Sequence, residues 1–145
     1  NILRLVDAYT WSSGEVPPNE RFKIEGVLNL DRLSELIGLA GSDIGQSVQR
    51  KLGGRRMIDS ISSFFVNFDL PAVQRFLSQI SRTALSFGGV TTLFVVEEGT
   101  VDEQGLNNIK YLMDGVLEFK EDYGHRKVRA VNMKWIKFDK DWVEW

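Results

Sequence analysis

Three acidic positions follow apolar runs in this chain. Asp7 comes after Ile2, Leu3, Leu5 and Val6, Asp59 after Met57-Ile58, and Glu97-Glu98 after Val90–Val96. An ionised carboxylate where a buried strand stops is costly unless a cation, hydrogen-bond donors or water compensate it. In open α/β sheets the crevice outside the carboxyl ends of the strands is where ligands bind. If the three strands are parallel neighbours, Asp7, Asp59, Glu97 and Glu98 gather along one such edge. That set suits Mg²⁺, which keeps several waters and is held by one or two carboxylates plus substrate phosphates. Acids at strand ends equally cap helices or face solvent. Asp59 therefore marks either a polar crevice or a capped turn, and on residue types alone the structural reading stands ahead.

Other chemistries lack parts. The chain has no cysteine and one histidine, His125, placed in an expected turn beside Gly124, so neither a zinc site nor a Ser-His-Asp triad has convincing parts. Arg126, Lys127, Arg129 and Lys134 form a basic row that is either a solvated strand face or a contact for phosphate or an acidic subunit. Trp135, Trp142 and Trp145 either pack on their own sheet or form an aromatic patch for a partner.

With 145 residues, 43% of them hydrophobic and 26% charged, the chain can bury one ordinary core, and a single domain over 1–145 is expected. A net charge of -2 argues against a broad footprint for nucleic acid or anionic membrane. The absence of cysteine fits a reducing compartment, so a cytoplasmic location is expected. No apolar run is long enough to span a bilayer, and no signal peptide opens the chain. Asn1 stands where a Met would open a natural chain and leads directly into strand-like residues, so a preceding segment is expected in a parent protein.

The elements that must position the acids alternate between strand and helix. A strand over Ile2–Val6 leads into an exposed loop over Ser12–Arg21, rich in Ser, Gly and Pro, and Phe22–Leu28 is expected to add a short strand. Leu33, Ile37, Ala40, Ile44, Val48 and Leu52 form one helical stripe after a cap at Asp31, with Gly38, Gly41 and Gly45 suggesting a break. Gly53-Gly54 ends that helix and leads to the Met57-Ile58 strand. Asp69 and Pro71 start a second helix with Val73, Phe76, Leu77, Ile80, Ala84 and Phe87 on one face, ended by Gly88-Gly89. Val90–Val96 reads as a central strand covered on both faces. A helix over Asp102–Met113 precedes two antiparallel strands, Asp114–Lys120 and Lys127–Phe138, joined around Tyr123-Gly124-His125. The fold class is α/β, with a mostly parallel sheet flanked by helices and an antiparallel C-terminal hairpin.

The order LRLVDAYTW, RRMIDSIS, TTLFVVEEG, IKYLMDGVLEF and RKVRAVNMKW resembles the RecA-superfamily ATPases of the circadian-clock, or KaiC-like, group over nearly the whole chain, but covers only the later part of that family's domain. The resemblance implies that Met57–Ser60 is the Walker B segment, with Asp59 holding the Mg²⁺ of bound ATP through water and Ser60 beside it. It implies that Val90–Glu98 is the next core strand, with Glu97 and Glu98 at its sensing end. Lys134 matches the lysine of a Lys-x-Arg pair that reaches a neighbouring subunit's γ-phosphate in family rings.

Departures limit this. No G-x-x-x-x-G-K-[ST] occurs, so the phosphate cradle is missing. The strand with the family's catalytic glutamate is also missing. Ile136 replaces the trans-acting arginine, leaving Lys134 and, as a second candidate, Lys137. Lys110 and Tyr111 stand where the clock protein carries its phospho-accepting residues, so autophosphorylation there is not supported. Mg²⁺ and ATP are expected in an intact parent and no cofactor for this chain alone. A ring is expected for the parent, and dimerisation or strand exchange for this chain, through a bare sheet edge. The alternative is a non-catalytic RecA-like interaction or oligomerisation module that has lost nucleotide binding.

Overall fold

The computed structural model describes residues 3–10, 21–48, 54–86 and 88–145. The expected loop before Arg21, and Ile2, Leu52, Gly53 and Phe87, lie outside them. The chain divides into two compact units, Asn1–Thr100 and Val101–Trp145.

In the first unit, β1 (Val6–Asp7) pairs in parallel with β2 (Phe22–Lys23), and β3 (Arg55–Ile58) pairs in parallel with β4 (Thr91–Phe94). The two pairs are separate two-stranded sheets. Helix α1 (Leu30–Val48) packs against β1, β2 and α3 (Leu70–Ser86), while α3 packs against β4. Between β3 and α3 lie a 3₁₀ turn (Ile61–Ser63) and the short α2 (Phe64–Asn67).

The helices follow from their apolar stripes. Leu30, Leu33, Leu36, Ile37 and Ala40 of α1 are buried, as are Val73, Phe76, Leu77, Ile80 and Ala84 of α3. The rings of Phe64 and Phe76 meet edge to face at 5.4 Å. Full burial of side chains such as Leu77 and Ile80 contributes about 1.5–3 kcal/mol each. Asp69 caps α3 as expected, accepting from the Ala72 N–H at 2.8 Å. The cap of α1 differs from expectation. Asn29 accepts from the Arg32 N–H at 2.9 Å, and Asp31 falls in the first turn, where its charge favours the helix dipole instead. The expected glycine break is also absent: α1 is continuous through Gly38, Gly41 and Gly45, because burial of its stripe outweighs the glycine cost of about 1 kcal/mol each.

Two further expectations are corrected. The expected strand over Val90–Val96 shortens to β4, and it is covered on one side only: Leu93 is 55% exposed and Met57 on β3 61% exposed. These two residues are register partners and share the bare face. The Phe22–Leu28 strand shortens to β2, as Gly26 adopts a positive φ of 82°.

In the second unit, α4 (Glu103–Leu112) is capped by Asp102, which accepts from the Gly105 N–H at 2.6 Å. Strands β5 (Gly115–Asp122) and β6 (His125–Met133) form an antiparallel hairpin, and β7 (Val143–Glu144) adds to β6. Tyr123 and Gly124, with φ of 49° and 81°, make the two-residue turn whose backbone matches strand twist. His125 is thus the first residue of β6, not part of the turn, and lies 2.5 Å from Glu144. Residues 134–138 leave the sheet, so the second strand ends earlier than expected.

An added β-carbon at Gly38 or Gly45 would meet nothing within 4 Å. Gly38→Ala and Gly45→Ala should each raise unfolding free energy in urea by about 0.5–1 kcal/mol, whereas Leu77→Ala should lower it by about 2–5 kcal/mol.

Candidate functional site

The segment after β3 builds the polar edge. The Ile58 carbonyl accepts from the Val95 N–H at 3.0 Å, and the Val95 carbonyl accepts from the Ile61 N–H at 2.9 Å, so the pairing of β3 with β4 carries on past both strand ends. Ile61 and Phe64 then dive into the core, 0% and 4% exposed. This leaves Asp59 exposed at the carboxyl end of β3, with no hydrogen bond or ion pair to any described residue. The anchoring of Ile61 fixes the backbone on one side of Asp59 and β3 fixes it on the other.

The matching end of β4 is pinned by a residue that the motif reading passed over. Ser62 is buried, and its hydroxyl oxygen accepts from the Glu97 N–H at 2.7 Å. The Thr100 hydroxyl lies 2.7 Å from the Glu97 carbonyl and 3.3 Å from the Ser62 oxygen. The Ser60 hydroxyl reaches the Glu97 carboxylate at 3.5 Å. Asp59, Ser60 and Glu97 therefore belong to two adjacent loops tied by Ser62. Glu98 is exposed, and no hydrogen bond places it with the others. The only sequence signal for Ser62 is its place in the Ser-Ile-Ser-Ser run after the strand.

Asp7 is explained differently. It ends β1, in the other parallel pair, and its carboxylate accepts from the Tyr9 and Thr10 N–H groups at 2.9 Å each. Burial pushes its pKa up, but the Thr10 side chain and these two backbone donors outweigh burial and hold it below the ordinary value. Asp7 is a turn cap, the structural alternative foreseen for strand-end acids. The gathering of all the acids on one continuous sheet edge does not occur, since β1 and β3 share no ladder. Among the described residues no cluster of three or more His, Cys, Asp or Glu could hold a metal by itself.

The basic row on β6 is internally neutralised. Arg129 donates twice to Glu118, at 3.0 and 2.7 Å, Lys110 reaches Glu118 at 3.0 Å, and Arg126 and Lys127 pair with Glu121 and Asp122 at 3.6 Å. The Arg129 and Lys110 contacts hold the Glu118 carboxyl below its usual range. Lys120 and Arg129 stack on Trp142 at 4.5 and 4.6 Å from the ring centroid. Trp145 meets Phe119 edge to face, and Trp135 stands 82% exposed. Trp142 and Trp145 thus meet residues of their own sheet. Lys134 lies away from the row and donates to the Tyr111 carbonyl at 3.1 Å. Among the described residues no helix is long and apolar enough to cross a membrane.

No protein-family profile matches the chain. A UPF0273 protein of Saccharolobus solfataricus is 25% identical over 120 residues, covering 81% of this chain and 39% of that protein. Among solved structures, the KaiC-like protein PH0186 of Pyrococcus horikoshii matches with a TM-score of 0.54 and 18% identity, over 83% of this chain and 51% of its own. The uncharacterized protein PH0321 of Pyrococcus horikoshii, solved in complex with an unknown peptide, matches with a TM-score of 0.65 and 17% identity, over 97% of this chain and 65% of its own. The fold is KaiC/RecA-like, and the chain spans between two fifths and two thirds of the length of these proteins.

The two aspartates should separate in a stability measurement. Asp7→Ala removes two N–H acceptors and should lower unfolding free energy at neutral pH by about 1 kcal/mol, while Asp59→Ala, exposed and unpaired, should stay within about 0.5 kcal/mol of the parent. Because the folded pKa of Asp7 is depressed, its contribution is complete above the unfolded pKa and fades as pH falls through the folded one. Urea titrations at neutral and acid pH should therefore show the Asp7→Ala deficit shrinking in acid.

Proposed function

We propose that this chain is the Walker-B-bearing portion of a KaiC/RecA-like ATP-binding and ATP-hydrolysing domain with a regulatory or signalling role, and that it is not competent for ATP hydrolysis by itself. The observation that carries this reading is the exposed, unpaired Asp59 at the carboxyl end of β3, beside the pinned end of β4. A carboxylate in that place, with the Ser60 hydroxyl and the Glu97 carboxylate nearby, supplies oxygen donors of the type Mg²⁺ takes. The donor set fits a hydrated ion that arrives with a nucleotide, since one or two carboxylates and waters leave positions for phosphate oxygens. It does not fit an ion held by protein alone. When bound, Mg²⁺ with ATP would neutralise phosphate charge for in-line attack by water.

In this reading Asp59 holds the hydrated ion through water, Ser60 and Glu97 order the waters around it, Glu98 lies at the sensing end of the same loop, and Ser62 keeps the two loops together. Lys134 reaches a neighbouring subunit in a ring and gives up its bond to the Tyr111 carbonyl to do so. The phosphate-binding loop has no counterpart in these 145 residues. Isothermal titration of the chain with Mg-ATP should therefore show no measurable binding, and micromolar affinity would overturn the claim of incompetence. In a longer polypeptide that supplies a P-loop, Asp59→Ala should abolish Mg-dependent turnover.

A second reading is favoured by a specific observation. The bare face with Met57 and Leu93, and the edge of β3 that joins no ladder among the described residues, are unusual for parallel strands, which are ordinarily covered on both faces. They support a non-catalytic interaction module that binds a partner or a second copy. PH0321, which has a similar fold, was solved with a peptide bound. Light scattering across a concentration series should reveal self-association, and a stable monomer at high concentration would count against the second-copy form.

A further inference from the structure

Beyond the last paired residues of β3 and β4, two more backbone bonds tie their chains, from the Val95 N–H to the Ile58 carbonyl and from the Ile61 N–H to the Val95 carbonyl. Successive residues of an extended chain direct their backbone groups to opposite edges, so the next residue after Val95 that faces this way is Glu97. There a side chain stands in for the ladder: the Glu97 N–H donates to the Ser62 hydroxyl oxygen at 2.7 Å. Ser62 is buried, so water does not compete for that donor.

The Glu97 carbonyl is gripped as well. It accepts from the Thr100 hydroxyl at 2.7 Å and from the Thr100 N–H at 3.4 Å, across a four-residue turn whose third residue, Gly99, holds a φ of 81°. A carbonyl can only accept, so the single hydroxyl hydrogen of Thr100 goes to it. The 3.3 Å contact between the Thr100 and Ser62 hydroxyls is then filled by the Ser62 hydrogen. The Glu97 N–H, the two hydroxyls and the Glu97 carbonyl thus close a ring in which each group donates to the next. Its effect is to fix Glu97 by the main chain alone. The Glu97 carboxylate stays exposed, with only the 3.5 Å contact from the Ser60 hydroxyl among the described residues.

We propose that Ser62 and Thr100 are positioning residues for the candidate Mg²⁺ site: their hydroxyls clamp the peptide groups of Glu97 and so hold its carboxylate beside the Asp59–Ser60 loop. The inference rests on the nucleotide reading above and assigns that site two residues that touch neither ion nor nucleotide. A carboxylate on a fraying strand end has to be ordered each time it meets a hydrated cation, and one whose backbone is already held loses less freedom in doing so.

The clamp is tested first in the chain itself, by amide hydrogen exchange followed by NMR. Ser62→Ala and Thr100→Val should each speed exchange at Glu97 by about fivefold, as loss of one neutral hydrogen bond implies, with Ile61 and Val95 unchanged. Thr100→Ser, which keeps the hydroxyl, should restore the protection that Thr100→Val loses. Unchanged exchange at Glu97, or an equal rise at Ile61 and Val95, would overturn the clamp. The positioning role is tested in a longer polypeptide that supplies a P-loop. There Thr100→Val should raise the Mg²⁺ concentration for half-maximal ATP turnover by about tenfold, the scale of lost support behind a metal ligand, while affinity for ATP measured in EDTA stays as it was. Thr100→Ser should bring the Mg²⁺ dependence back. If the Mg²⁺ dependence does not move while Asp59→Ala still abolishes turnover, the positioning role falls and the nucleotide reading survives; if Asp59→Ala leaves turnover intact, both fall.

Discussion

The contact between α1 and α3 is the constraint on which the first unit depends. A parallel pair of two residues and another of four cannot stand alone in water, since even longer two-stranded pieces are marginal. They share no ladder, so their placement comes from the helices: α1 carries β1 and β2, and α3 carries β4, which in turn aligns β3. The apolar stripes of the two helices supply the burial that isolated strands lack. Arg4 and Arg21 add a polar clamp, both pairing with Asp43 on α1, so the chain entering each of the first two strands is tied to the same helix.

Much of this was legible in the residues. The stripe from Val73 to Ala84 with Asp69 before Pro71 specifies α3, because burial, capping and proline geometry all agree there. Asp102 and Tyr123-Gly124 mark the start of α4 and the hairpin turn for equally local reasons. Less was legible where a tertiary fact decides. Asn29 and Asp31 are both good caps, and only the register of the buried stripe selects Asn29. Val90–Val96 has the composition of a strand covered on both faces, yet composition cannot say whether a second layer is present to cover it.

The candidate site shows the same division. A carboxylate at the end of Met57-Ile58 was visible from chain order, while its place beside the end of the next strand was conditional on parallel pairing, which the β3–β4 ladder supplies. What could not be read was the sorting of the acids. Asp7 turned out to be spent on two backbone donors, Glu97 to be positioned through its own N–H by Ser62, and Asp59 to be left open. Likewise the β6 cations read either as a solvated strand face or as a contact for phosphate, and the antiparallel register sets Glu118, Glu121 and Asp122 on the neighbouring strand against them. Charge along a single strand says little until its partner strand is known.

The Tyr123-Gly124 turn has a consequence for the order in which the chain assembles. β5 and β6 are joined by two residues, so they can zip together as soon as both exist, on the microsecond scale of about 1–10 μs seen for hairpins. β3 meets β4 only after the whole of α3 has been laid between them, and such non-local pairing is the slow kind. The hairpin therefore forms early, while the backbone groups of Arg56 and Ile58, which face β4, stay open to other extended chain until α3 is in place.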